Sequence, residues 1–176
     1  MRKLSRLLSA LVLLIGGTAA MAPGVASAAV QIRTQAPCTG GGDNCFNFGA
    51  GIVGVGQFDL RAFTYKAPSK GNAEVSFHGS LLCAAEPGSV YKVVDLVTQI
   101  TNSTDGTIGP GQPGGLRQAM VLAPNTSNTF NLASTRMFTF KAAGSQTYHY
   151  RVRPLRIDSG SNCYVYNAAF TVVFVP

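Results

Sequence analysis

Cys163-Tyr164-Val165-Tyr166-Asn167-Ala168-Ala169-Phe170-Thr171-Val172-Val173-Phe174-Val175 is the stretch that decides the fold class. Its side chains are mostly aromatic or β-branched, and such groups pack well on pleated sheet and lose rotamer freedom in helices. Two-residue spacing puts Tyr164, Tyr166, Ala168, Phe170, Val172 and Phe174 on one face. No charged residue occurs from Ser159 to Pro176, so the strand must be buried or paired to avoid aggregation. It is expected either as a central core strand or as a segment that pairs with neighbouring chains.

Working back from there, the same period recurs between turn clusters. Tyr148-His149-Tyr150-Arg151-Val152-Arg153 alternates aromatic or aliphatic with basic residues. Pro154 then argues for an edge position or a bend, because proline cannot donate to a ladder. Further strands are expected at residues 116–122, 129–132 and 135–141. Residues 89–101 carry both periods, but their Val, Thr and Ile content favours a strand. In residues 73–83, Val75, Phe77, Leu81 and Cys83 point one way, with Glu74, Ser76, His78 and Ser80 opposite. Residues 57–66 switch face, which predicts a bulge near Ala62. A long break runs from Asn102 to Gly115, with five glycines and two prolines between Asp105 and Gly115, of the kind that is often functional or mobile. No long helix is expected after the leader. Many short strands punctuated by Gly, Pro, Asn and Ser predict an all-β, antiparallel, disulfide-stapled sandwich, with a jelly roll as its leading variant.

Residues 1–28 read as a cleaved signal peptide. Arg2, Lys3 and Arg6 open it, Leu7 to Ile15 form a short apolar run, and Ala26-Ser27-Ala28 supplies the cleavage pattern. The run falls short of the about 20 residues a membrane span needs. Residues 29–176 are then a single secreted domain, with a glycine-rich segment at 29–56. Of 14 basic and 7 acidic residues, the leader holds three basic ones, which leaves 11 against 7. That excess is too small and scattered for a nucleic-acid binder. Charged residues are 12% and hydrophobic ones 46% of the chain, which excludes a disordered tail.

Export makes the four cysteines a disulfide set. Three pairings are open. The glycine-rich loop at 39–44 favours Cys38–Cys45, which leaves Cys83–Cys163 to close a loop worth about 4 kcal/mol in the chain-entropy model. A zinc site would want closer cysteine pairs and more histidine than His78 and His149 provide. No metal or cofactor is expected.

Gly49-Ala50-Gly51-Ile52-Val53-Gly54 matches a dinucleotide fingerprint in letters only. It lacks the strand–turn–helix context that gives the motif its chemistry, and close packing explains these glycines better. Ser76, His78 and Ser80 share a face, but neighbours two apart on a strand are about 6.5–7 Å apart. A small secreted hydrolase would need Glu74, His78 and an acid from another strand in one pocket. The most distinctive polar feature is the stripe His149, Arg151 and Arg153, with Arg156 nearby. Arginine forks bind carboxylate, sulfate and phosphate, so this row is the candidate ligand-binding surface, for an anionic glycan or envelope component. The alternative is a solvated strand protected against aggregation. Tyr148 and Tyr150 face the other way and are expected in the core. Asn102 and Asn125 head two glycosylation sequons. The expected function is a secreted, non-catalytic protein that binds or assembles at the cell exterior. The leading alternative is a structural subunit of a fimbria, coat or surface layer that self-associates through its C-terminal strand.

Overall fold

The computed structural model describes residues 29–38, 44–52, 56–88, 90–102, 105–109, 111–112 and 114–176. The expected leader lies outside them, as do residues 39–43 of the cysteine loop, Gly54, and Ser103 and Thr104 of the first sequon. Among the described residues nine strands follow one another: β1 (Gln31–Thr34), β2 (Asn44–Gly49), β3 (Phe58–Ala67), β4 (Gly71–Ala85), β5 (Lys92–Asn102), β6 (Leu116–Leu122), β7 (Ser127–Phe140), β8 (Gly144–Ile157) and β9 (Ser161–Val175). A single 3-10 turn, Ala50–Ile52, follows β2.

The strands form two antiparallel sheets. Sheet A runs β1-β9-β4-β7, with β2 beside β1 along the same side of β9, and sheet B runs β3-β8-β5-β6. From β2 onward the chain visits the sheets as A, B, A, B, B, A, B, A. That order, with two Greek keys folded over one core, is the jelly-roll topology. It follows from the alternation read in the sequence, since each strand with one apolar face must lay that face on a second sheet.

The core lies between the sheets and is largely aromatic. Phe77 of β4 stacks on Tyr150 of β8 with ring centroids 3.7 Å apart. Phe138 of β7 meets Tyr148 of β8 at 4.8 Å, and Tyr65 of β3 meets Phe174 of β9 at 5.8 Å. Two disulfides reinforce it. Cys38 is joined to Cys45 across the small loop, with Cα atoms 5.4 Å apart. Cys83 and Cys163 are direct cross-strand partners on β4 and β9 and are bonded, with Cα atoms 4.1 Å apart.

Several strand-level expectations need correction. In β9 the faces switch part-way. Three steps of β9 from Tyr166 to Ala169 oppose two steps of β4 from Ser80 to His78, and Asn167 takes a left-handed φ of 51°. This bulge turns Tyr164 and Tyr166 outward while Phe170, Val172 and Phe174 stay buried. Gly79 lies beneath it, where a Cβ would come within 3.2 Å of Ala168. The bulge of β3 sits between Asp59 and Arg61 rather than at Ala62. It brings Leu60 and Tyr65 to the same buried face. β7 is one strand of 14 residues, because Ala133 and Ser134 simply continue the alternation. β8 is not an edge but lies between β3 and β5. Pro154 is accommodated because pairing with β3 reaches only Val152, and the ladder with β5 skips Leu155. β9 is flanked on both sides, so its backbone is not free to recruit a neighbouring chain.

Candidate binding surface

The outer face of sheet B carries the basic stripe. On β8, Tyr148, Tyr150 and Val152 are buried, which turns His149, Arg151 and Arg153 outward by alternation. Each finds a partner within the molecule. Asp59 of β3 is in register with Arg151; its Oδ1 accepts from Arg151 Nε at 2.9 Å. Its Oδ2 lies 2.7 Å from Nδ1 of His149, an ion pair when the imidazole is protonated. Arg153 Nη1 donates to the Ile108 carbonyl at 3.1 Å, and Arg151 Nη1 reaches the Asp105 carbonyl at 3.5 Å.

Asp105 and Ile108 belong to the long glycine- and proline-rich loop, so the stripe braces that loop. Gln57 adds to the clamp, accepting from the Ile108 amide at 2.7 Å and donating to the Gly106 carbonyl at 3.4 Å. Ile108 and Val97 are fully buried yet stand apart from the core between the sheets. Arg153 is in register with Val97, which lays this part of the loop across the outer face of sheet B. From the other sheet, Arg136 of β7 grips the Asp105 carboxylate at 2.8 and 3.0 Å.

Arg156 stands apart from the stripe. Beyond the Leu155 bulge it pairs with Asp158 in the β8–β9 turn, at 2.7 and 3.0 Å. Asp158 also accepts from the Val93 amide at 2.8 Å. The Arg156 guanidinium first, and that backbone donor second, hold the Asp158 carboxyl below its ordinary range. The stripe is therefore two devices, a loop brace of Arg151 and Arg153, with His149 beside them on Asp59, and a turn clamp of Arg156. Of these four side chains, Arg156 is the one the structure leaves prominently in solvent, at 60% exposure. Sequence reading missed Asp59, Asp105, Arg136 and Gln57. Their separations of 31 to 92 residues from their partners give no local signal.

Glu74, Ser76 and His78 project from sheet A. Ser76 Oγ shares a hydrogen bond of 3.0 Å with Thr135 Oγ1. The cross-strand neighbours of His78 are Ala133 and Ala169, and those of Glu74 are Met137 and Val173. No acid from another strand faces them among the described residues. Gly49 closes β2 where a Cβ would meet Asn162 Oδ1 at 2.8 Å and the Ser161 carbonyl at 3.0 Å, a close approach that favours glycine.

No protein-family model matches the chain, and no curated protein does. Among solved structures it is similar to the T13 particle of infectious bursal disease virus, at 10% identity and a TM-score of 0.39, over 82% of this chain and 31% of that one. A structure of the Gx strain of the same virus aligns at 11% identity and a TM-score of 0.27, over 85% and 38% of the two chains. The chain spans less than half the length of either. Likeness at this level carries no argument about role.

Proposed function

We propose that this is an exported, disulfide-locked protein that works by contact at the cell exterior, as a self-associating subunit with no catalytic step. The observation that carries the reading is a pair of exposed apolar patches on opposite outer faces. On sheet A, Ile32 is 61% exposed and lies against Val173. Continuing that register sets exposed Val30 beside exposed Val175. On sheet B, Val121 is 63% exposed and lies opposite Val93, with exposed Tyr91 just ahead of it. Contiguous exposed apolar groups mark contact sites, and their burial returns about 25 cal/mol per Å². Patches that face away from each other favour head-to-tail contacts, which extend or close into rings. Two disulfides and an apolar leader too short to span a bilayer support export.

The test is the mass of the mature chain, recovered without reduction or boiling, by light scattering over a concentration series. Multimers that Ile32→Glu or Val121→Glu disperse are expected. A monomer at every concentration would sink the reading. The proposal that an anionic glycan or envelope component binds the basic stripe rests on Arg156, since the other three partners would have to be displaced. Arg156→Glu should then abolish retention on a sulfated polysaccharide.

A further inference from the structure

We infer that β7 is a pairing edge, whose open side takes up β7 of a second copy of this chain in antiparallel register. The inference rests on the self-association reading above and adds to its face contacts a second, two-fold contact at a sheet edge. Sheet edges expose unpaired backbone donors and acceptors, and soluble proteins protect them with short strands, charges, bulges or covering segments. Three of the four lateral edges here show such a device. β9 is covered on its outer side by the short strands β1 and β2. β3 carries Asp59, Arg61 and Lys66 and a bulge after Asp59. β6 has seven residues.

Among the described residues, β7 is the least protected of the four, with a single charge at Arg136 and loop residue Gly114 beside it. It pairs with β4 over 14 consecutive residues without irregularity, and it contains no proline, lysine or acid. Its one charged side chain, Arg136, is drawn toward the Asp105 carboxylate and the Ile100 carbonyl. The outward side chains Thr129, Asn131, Ala133, Thr135 and Met137 are exposed and uncharged. Beside the middle of the strand runs an open groove of about 290 Å³, lined by Gly114, Leu116, Ala133, Ser134 and Thr135, which leaves room for the side chains of an added strand.

The occupant that fits is β7 itself. A two-fold axis near Ala133 would set this neutral stretch against its own reverse, so no like charges oppose one another. Every bond across the axis is then made twice, and the two copies of sheet A become one continuous sheet. A foreign strand would need the same length and neutrality by coincidence.

The experiment is sedimentation velocity with backbone hydrogen exchange on the mature, disulfide-intact chain. Slowed exchange of β7 amides on association is expected, with at least a ten-fold weakening of association in Ala133→Lys and in Asn131→Lys. Both positions are exposed, and an unchanged melting curve confirms that each variant folds. Ala62→Lys, on the β3 edge, should leave association as it was. Assemblies that persist in both β7 variants but disperse in Ile32→Glu would overturn the β7 contact and leave self-association standing. A wild-type monomer at all concentrations would overturn both. So would β7 amides that gain protection only when a different protein is added to a monomer.

Discussion

Arg136 on β7 and Asp105 at the start of the long loop form a two-pronged ion pair, Nη1 to Oδ2 at 2.8 Å and Nη2 to Oδ1 at 3.0 Å. The same guanidinium donates to the Ile100 carbonyl at 2.9 Å and lies 4.8 Å from the centre of the Phe138 ring. A segment that composition alone would leave loose is therefore tied to both sheets. Asp105→Asn should destabilise the protein by about 1–3 kcal/mol, the usual penalty for leaving a partly buried partner unsatisfied. The loop should also become the first site of limited proteolysis. Equal denaturation midpoints and equal cleavage patterns in mutant and wild type would count against this.

Phe77 and Tyr150 join the sheets at the centre of the core, and both are fully buried. Phe77→Ala should cost about 3–5 kcal/mol, as large-to-small changes in aromatic cores do. Tyr148→Phe should behave in the opposite way. Its hydroxyl is buried with no hydrogen-bond partner among the described residues, so its removal should be neutral or raise the melting temperature. Calorimetry on the two variants checks both signs.

Stability in acid should carry the mark of Asp158. Its carboxyl is held below the ordinary aspartate value of 3.8, by Arg156 and then by the Val93 amide. In the unfolded chain it takes up a proton first as pH falls. Its contribution is therefore present above that value and is lost as pH drops toward the lower folded one. Asp158→Asn should melt below wild type at neutral pH, and the gap should close in strong acid. A gap that stays constant across a melting series from neutral to acid pH would refute the assignment.

At the alkaline end the sign reverses. Burial pushes the Tyr150 phenol from 10.0 up to about 12, and Tyr148 is raised in the same direction by burial first and by Tyr65 second. Unfolded tyrosines ionise first as pH rises, so this contribution is intact below 10 and declines above it. Of the six tyrosines, Tyr148 and Tyr150 should be silent in a tyrosinate absorbance titration at pH 11 while the fold holds. They should appear together with unfolding.

Strand existence was legible because alternation is local: β4 shows its buried Val75, Phe77, Leu81 and Cys83 and its outward Glu74, Ser76 and His78 in plain order. The bulge of β3 was legible from its change of face, though a residue or two from its place between Asp59 and Arg61, whereas the bulge of β9 was not. One extra residue at Asn167 reverses parity without changing composition, so the tyrosines of β9 read as core although they face outward. Whether a strand is central or edge is a property of the whole topology, so Pro154 could signal an edge or a bend without choosing between them; the structure has the irregularity, at Leu155. The basic stripe was visible as a pattern, but its partners come from β3, from the long loop and from the turn after β8. A row of arginines looks the same on a page whether its carboxylates are brought by a ligand or by distant parts of the same chain.

The bond between Cys83 and Cys163 sets an order of events. Every strand from β5 to β8 lies between those two cysteines in the sequence, while the bond itself joins β4 to β9. A chain that enters an oxidising compartment amino end first presents Cys38 and Cys45 early, then Cys83, whose native partner arrives only with the last fifteen or so residues. Throughout that interval the only thiols within reach of Cys83 are wrong ones. In a chain exported as proposed above, closing the short Cys38–Cys45 loop, seven positions apart, before Cys163 emerges would remove them from competition, so the small loop would act as a guard on the large one.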